Sequence, residues 1–292
     1  EQIYNQIFIS NPSNEKYYNS LKKILIKHND CIELIDNADI FCEAKNNEKY
    51  SKINKLEVLI ICNADWEDLF YNLLHENLTD TRFLTRMISK LINNEQEKIA
   101  IESVKQVRNL NQDISFFANE LGYYYISSKK YSESLIEFLN HLEKFPKHLK
   151  MINERIMSFP NEKNINDGMI KILEESPIIE SKIILADLYF KIEDYLKSIE
   201  VLKNNNFLRE LLSLAINLNE LEQFEIAHDV FIYIIQAENN KVAQEAIFEL
   251  AKSLEKRGLS EKSILPISNF MAKNDYFSSP FIRINKEESD LM

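Results

Sequence analysis

The residues able to do chemistry are few and scattered. Five histidines, His28, His75, His141, His148 and His228, include no H-E-x-x-H, and none sits beside a cysteine at metal-ligand spacing. His141 and His148 flank Pro146 seven residues apart, so one helix face is not expected to hold both. There is no G-x-S-x-G, no Gly-rich loop with a following lysine and no dinucleotide fingerprint. Carboxylate pairs such as Asp65 with Asp68, Glu174-Glu175 and Glu287-Glu288 read as solvated helix faces in so acidic a chain. Asn77-Leu78-Thr79 has the form of a glycosylation acceptor, which matters only in a eukaryotic secretory setting. Cys31, Cys42 and Cys62 lack C-x-x-C spacing. Three small apolar side chains in a core is the leading expectation for them. One disulfide with a spare thiol, or a metal site borrowing a histidine, are the alternatives. The expectation is a chain that is not an enzyme and needs no cofactor.

The elements that would position any site are helical. Only 3 Gly and 6 Pro occur in 292 residues, too little turn chemistry for a sandwich, barrel or propeller. Apolar residues make up 45% and charged residues 28%, which fits a folded chain with a substantial core. The formal charge of -11 is spread along the length, with 22 acidic and 17 basic residues through Pro146, so a nucleic-acid partner is disfavoured. No run approaches 18 uninterrupted apolar residues, so no transmembrane helix is expected. The first residue is Glu1, as in a processed product or an excised fragment, and the compartment stays open between cytoplasm and periplasm.

Residues 1–112 read as an N-terminal helical region, with degenerate repeats as one reading of it. Tyr18, Leu21 and Leu25 recur at helical spacing, as do Trp66, Leu69, Phe70, Leu73 and Leu74. Asp80 or Thr81 is placed to cap a helix carrying Leu84, Met87, Ile88 and Leu91. Leu56–Ile61 suits a strand or a helix, and helix is favoured because no second strand is evident. Asn93-Asn94, Asn204-Asn205-Asn206 and Asn239-Asn240 fall between apolar runs as punctuation.

From Asp113 the pattern becomes a repeated hairpin. Helices over Ile114–Ser127 and Tyr131–Lys144 form the first pair; others span Ser181–Lys203, Leu208–Ile235 and Ala243–Met271. An irregular insert, 147–179, holds Pro160, Gly168, Pro177 and two short helices, and 272–292 is a tail. Such pairs cannot bury their apolar faces alone and must stack.

In the first pair Ala118, Leu121, Gly122, Tyr125, Ser134, Phe138 and Pro146 occur in the order W-x2-L-G-x2-Y, A-x3-F, P, with Ala118 in place of the opening aromatic. Leu185, Ala186, Tyr189, Tyr195 and Ser198 repeat it, as do Leu214, Ala215, Leu218, Phe224, Ala227 and Phe231. Leu250, Ala251, Leu254, Gly258 and Ser263 form a degraded fourth copy, with Ser260 where an aromatic is usual and Pro266 in its second helix. Over residues 113–271 the chain thus resembles the tetratricopeptide family. The resemblance implies an all-α fold, an α-solenoid in which antiparallel helix pairs stack into a right-handed superhelix. It implies a non-catalytic scaffold that binds a partner protein or peptide on a concave face lined by the first helix of each pair. That face would offer Asn119, Tyr123 and Ile126, then Ile183, Asp187 and Phe190, then Leu212, Ile216 and Asn219, and finally Phe248 and Lys252. Only Asn119 matches the carboxylate clamp of some family members, and Tyr123, Ile183 and Ile184 replace its polar groups. The mixture suits an apolar peptide or helix oriented by a few hydrogen bonds. The alternatives are a helical-repeat enzyme with a site built from distant carboxylates, and a helical repeat that binds nucleic acid along a basic stripe assembled by folding.

Overall fold

A computed structural model describes residues 2–237 and 240–259. Within them the chain is all-α, with sixteen α-helices, one 3-10 turn and no strand. The second helix of the fourth hairpin, with Ser260, Ser263 and Pro266, lies outside the described residues, as do Asn239 and the segment 272–292. The helices are α1 (Gln2–Ser10), α2 (Glu15–His28), α3 (Cys31–Ala44), α4 (Lys49–Ile61), α5 (Glu67–Glu76), α6 (Thr81–Asn93), α7 (Glu97–Asn111), α8 (Ala118–Ser127) and α9 (Tyr131–Lys144). After the 3-10 turn Pro146–His148 come α10 (Leu149–Met157), α11 (Lys163–Glu175), α12 (Glu180–Lys191), α13 (Tyr195–Asn204), α14 (Leu208–Glu220), α15 (Phe224–Gln236) and α16 (Asn240–Lys256). Two compact units result, the first ending at Leu149 and the second beginning at Lys150.

Local chemistry explains the boundaries. Asn14, Asp30, Asp80 and Asp194 cap α2, α3, α6 and α13, their side-chain oxygens accepting from first-turn N–H groups. The run Leu56–Ile61 is the end of α4, so helix prevails. Tight interhelical turns need a left-handed residue, and glycine is scarce. Asn29, Glu95, Lys129, Glu193, Asn206 and Glu222 take that conformation instead, each two places before the next helix. The largest shift from an expected boundary is in the first hairpin. α8 starts at Ala118 rather than Ile114, because the Asp113 carboxylate accepts from the Ser115 N–H (3.1 Å) and Oγ (2.6 Å) and holds a turn.

In the first unit α1 to α4 enclose Phe8, Tyr18, Leu21, Leu25, Leu34, Ala38, Phe41 and Val58. The other side of α4 opens a second core, from Ile53 and Leu56 through α5, α6 and α7 to Phe116, Phe117 and Leu121. That core runs across residue 112 without a break. The second unit's core joins Ala186 on α12 to Leu254 on α16 through Leu211, Leu218, Phe231 and Ile234.

The cysteines follow one of the alternatives, not the leading expectation. Cys31 and Cys62 form a disulfide with Cα atoms 5.5 Å apart, and only Cys42 is a free, buried thiol. Antiparallel packing of α3 and α4 places the first residue of one beside the residue that ends the other, which sequence spacing could not reveal.

Side-chain links between helices recur at a regular chain separation. Lys22–Glu57, Lys90–Glu57, Asn111–Leu78, Asn153–Asp187, Lys191–Met157 and Asn219–Ser253 join residues 33 to 35 apart. Others fall at 28 to 32, among them Arg108–Glu137 and Arg257–Glu225. A helix pair that packs on its successor makes such contacts, so the fold is helical-repeat-like in both units.

Candidate functional site

The hairpins come first, because they set the spacing of any face they present. In α8 and α9, Gly122 sits directly under Phe138, and a Cβ there would lie 2.5 Å from the ring. Ser134 donates from Oγ to the Gly122 carbonyl at 2.9 Å, so the small residues mark the close approach of the two helices. Ala186 with Ser198, and Ala215 with Ala227, are fully buried at the corresponding places in the second unit. Tyr125 is only half-buried.

The eleven expected face residues divide between the units. Asn119, Tyr123 and Ile126 lie on α8 in the first, and the other eight lie on α12, α14 and α16 in the second. On α8, Tyr123 is part exposed and meets Phe138 edge-on at 5.6 Å, while Asn119 and Ile126 are half-buried. On α12, Ile183 is half-buried and Phe190 packs on Tyr195 with ring centroids 5.3 Å apart. Leu212 is 5% exposed and belongs to the core of α14, so its side chain faces inward rather than into a groove. Ile216 lies half-buried beside that core. Phe248 is 54% exposed, and Lys252 is exposed with its ammonium 2.6 Å from Glu249.

Polar links join the first helices of successive pairs. The Asn153 amide on α10 donates to the Asp187 carboxylate on α12. Burial pushes the Asp187 carboxyl above its ordinary range; the Asn153 bond opposes this, and the negative charge of Glu210 on α14 adds to it. Ser253 on α16 donates to the Asn219 side-chain oxygen on α14. Asn153, Glu210 and Ser253 were absent from the sequence reading. A separation of 34 residues from the named partner is the signal that finds Asn153 and Ser253; Glu210, 23 residues from Asp187, has no such signal.

His141 and His148 stand on different elements, as their spacing about Pro146 leads one to expect, yet they meet. α9 ends at Lys144, and the 3-10 turn swings His148 back until its Nδ1 is 2.8 Å from His141 Nε2. With centroids 5.1 Å apart and planes 16° apart, the rings lie end to end as an N–H···N hydrogen bond requires. Burial and the His148 charge hold His141 below its ordinary pKa. Among the described residues no three His, Cys, Asp or Glu side chains gather as metal ligands, and no helix is long and apolar enough to cross a membrane. No protein-family model and no curated protein matches the chain significantly.

Proposed function

We propose that the chain is a tetratricopeptide-like α-solenoid acting as a non-catalytic scaffold, and that α12, α14 and α16 bind a segment of a partner protein. The carrying observation is the pair of links between first helices, Asn153–Asp187 and Asn219–Ser253. They tie α10 to α12 and α14 to α16, the kind of link that stacked hairpins make. Their separation of 34 residues equals the repeat length of the family. On that row Phe248 supplies exposed aromatic surface, Ile216 and Phe190 supply half-buried apolar surface, and Asp187 supplies a polar group to orient a ligand.

The test is capture of partners from the native source, followed by affinity measurement with Phe248→Ala. Truncating an exposed anchor ring is expected to weaken partner binding by about 1–2 kcal/mol. It should leave thermal stability within about 0.5 kcal/mol. Full affinity in the folded variant moves the binding surface off α16.

A further inference from the structure

A cavity in the first unit carries a second inference, independent of the scaffold reading. We propose that it binds a phosphate group, either as the free ion or on a small organic molecule. The cavity, about 590 Å³, opens among α2, α3, α4 and α6. That volume suits a small ligand.

Its electrostatics run against the rest of the chain. α6 carries Arg82, Arg86 and Lys90 at four-residue spacing and no carboxylate anywhere along Thr81–Asn93. Four-residue spacing puts the three on one stripe of the helix, and Arg86 and Lys90 line the cavity. Lys45, from the end of α3, faces them from another wall. Among the described residues neither Lys45 nor Arg86 has a carboxylate within ion-pair distance. Lys90 shares the single carboxylate of Glu57 with Lys22, so that triad keeps a net positive charge.

Two carboxylates, Glu15 and Glu48, also line the cavity. Glu15 is the first residue of α2 and Glu48 immediately precedes α4, so the positive end of each helix offsets them. Lys90, in the last turn of α6, and Lys45, the C-cap of α3, sit at negative helix ends, whereas Arg86 in the middle of α6 has no such offset. Ser51, Ser89 and Asn54 add neutral donors around the same opening. The Arg86 guanidinium lies 5.2 Å over the ring of Tyr50, another lining residue, which braces it. Cations arriving from two walls with hydroxyl and amide donors between them suit a compact tetrahedral dianion. A long polyanion would instead have to lie along a chain of net charge -11.

Isothermal titration of the oxidised full chain with inorganic phosphate and with glycerol 3-phosphate tests this. Binding in about the millimolar range or tighter is expected for at least one probe, weakening as salt is raised. Stronger binding of the ester assigns a phosphorylated small molecule; equal or stronger binding of the ion assigns phosphate itself. Arg86→Gln and Lys45→Gln should each weaken it about tenfold, and Arg86→Lys should recover part of the loss. Trp66 fluorescence confirms that each variant is folded. No binding of either probe, or binding indifferent to both neutral substitutions in folded protein, overturns the proposal.

Discussion

The two units solve the same packing problem with different side chains. In the first, charge joins one hairpin to the next. Glu57 is clamped by Lys22 at 2.7 Å and Lys90 at 2.8 Å. Arg108 reaches both Glu137 oxygens, at 3.1 and 2.5 Å, and donates from Nε to the Phe116 carbonyl at 2.9 Å. In the second, which keeps one charged joint in Arg257–Glu225, neutral groups and carbonyls take over most of the work. Lys182 donates to the Leu173 and Glu174 carbonyls at 2.8 and 2.9 Å, and Lys191 to those of Met157 and Phe159 at 2.9 and 2.7 Å. An ammonium that ties down the last carbonyls of a preceding helix needs no carboxylate. The lesson is that one helix-pair period tolerates two kinds of joint, and the two should fail under different conditions.

The largest expected effect breaks the charged joint. Arg108→Ala strands the buried Glu137 carboxylate and leaves the Phe116 carbonyl without its donor. A loss of about 3–5 kcal/mol is expected in the first unit. Hydrogen exchange should rise in α7 to α9 while Leu211 to Ile234 stay protected. Equal loss in both units would show that they unfold as one cooperative block.

Reduction comes next. The Cys31–Cys62 bond closes a 31-residue span wholly within the first unit. Reducing it is expected to cost about 2–4 kcal/mol, mainly by freeing the unfolded chain. Trp66, the single tryptophan, reports on that unit, so its fluorescence melt should shift under reductant. Exchange in α14 and α15 should not respond.

The smallest effect sharpens the contrast through pH. Burial pushes the Glu57 carboxyl up, but Lys22 and Lys90 outweigh it and hold it below its ordinary value. A depressed carboxyl contributes stability above its unfolded pKa and loses it as pH falls through the folded one, so acid weakens the first unit here. Asp187 is shifted the other way by burial. Its cost is absent at low pH, grows as pH rises past the unfolded value, and is complete above the folded one. Asp187→Asn is therefore expected to stabilise the second unit by about 1 kcal/mol at neutral pH and by less under acid. A destabilising Asp187→Asn, measured by exchange in α12 and α14, would mean that the carboxylate makes a contact the buried amide link does not explain.

The sequence by itself determined the helical class, most helix positions and the inward stripes, because period and capping are local. Leu84, Met87, Ile88 and Leu91 are buried as their spacing requires, and Asp80 caps the helix they stand on. Tyr131–Lys144 is a helix over the span read from its pattern. Gly122 and Ser134, two of the motif positions, stand at the close approach of α8 and α9. What the tertiary structure decided were the meetings between residues about 30 or more apart. Cys31 found Cys62, Asp187 found Asn153, and Leu212 turned into the core. The cations of α6 came to face Lys45 across a cavity in a chain whose net charge argued against such a place. Helical periodicity says which side of a helix is apolar, but not which neighbouring helix that side will meet. Charge pairing, burial of single face residues and cavities depend on that neighbour, so they become visible only once the hairpins are stacked.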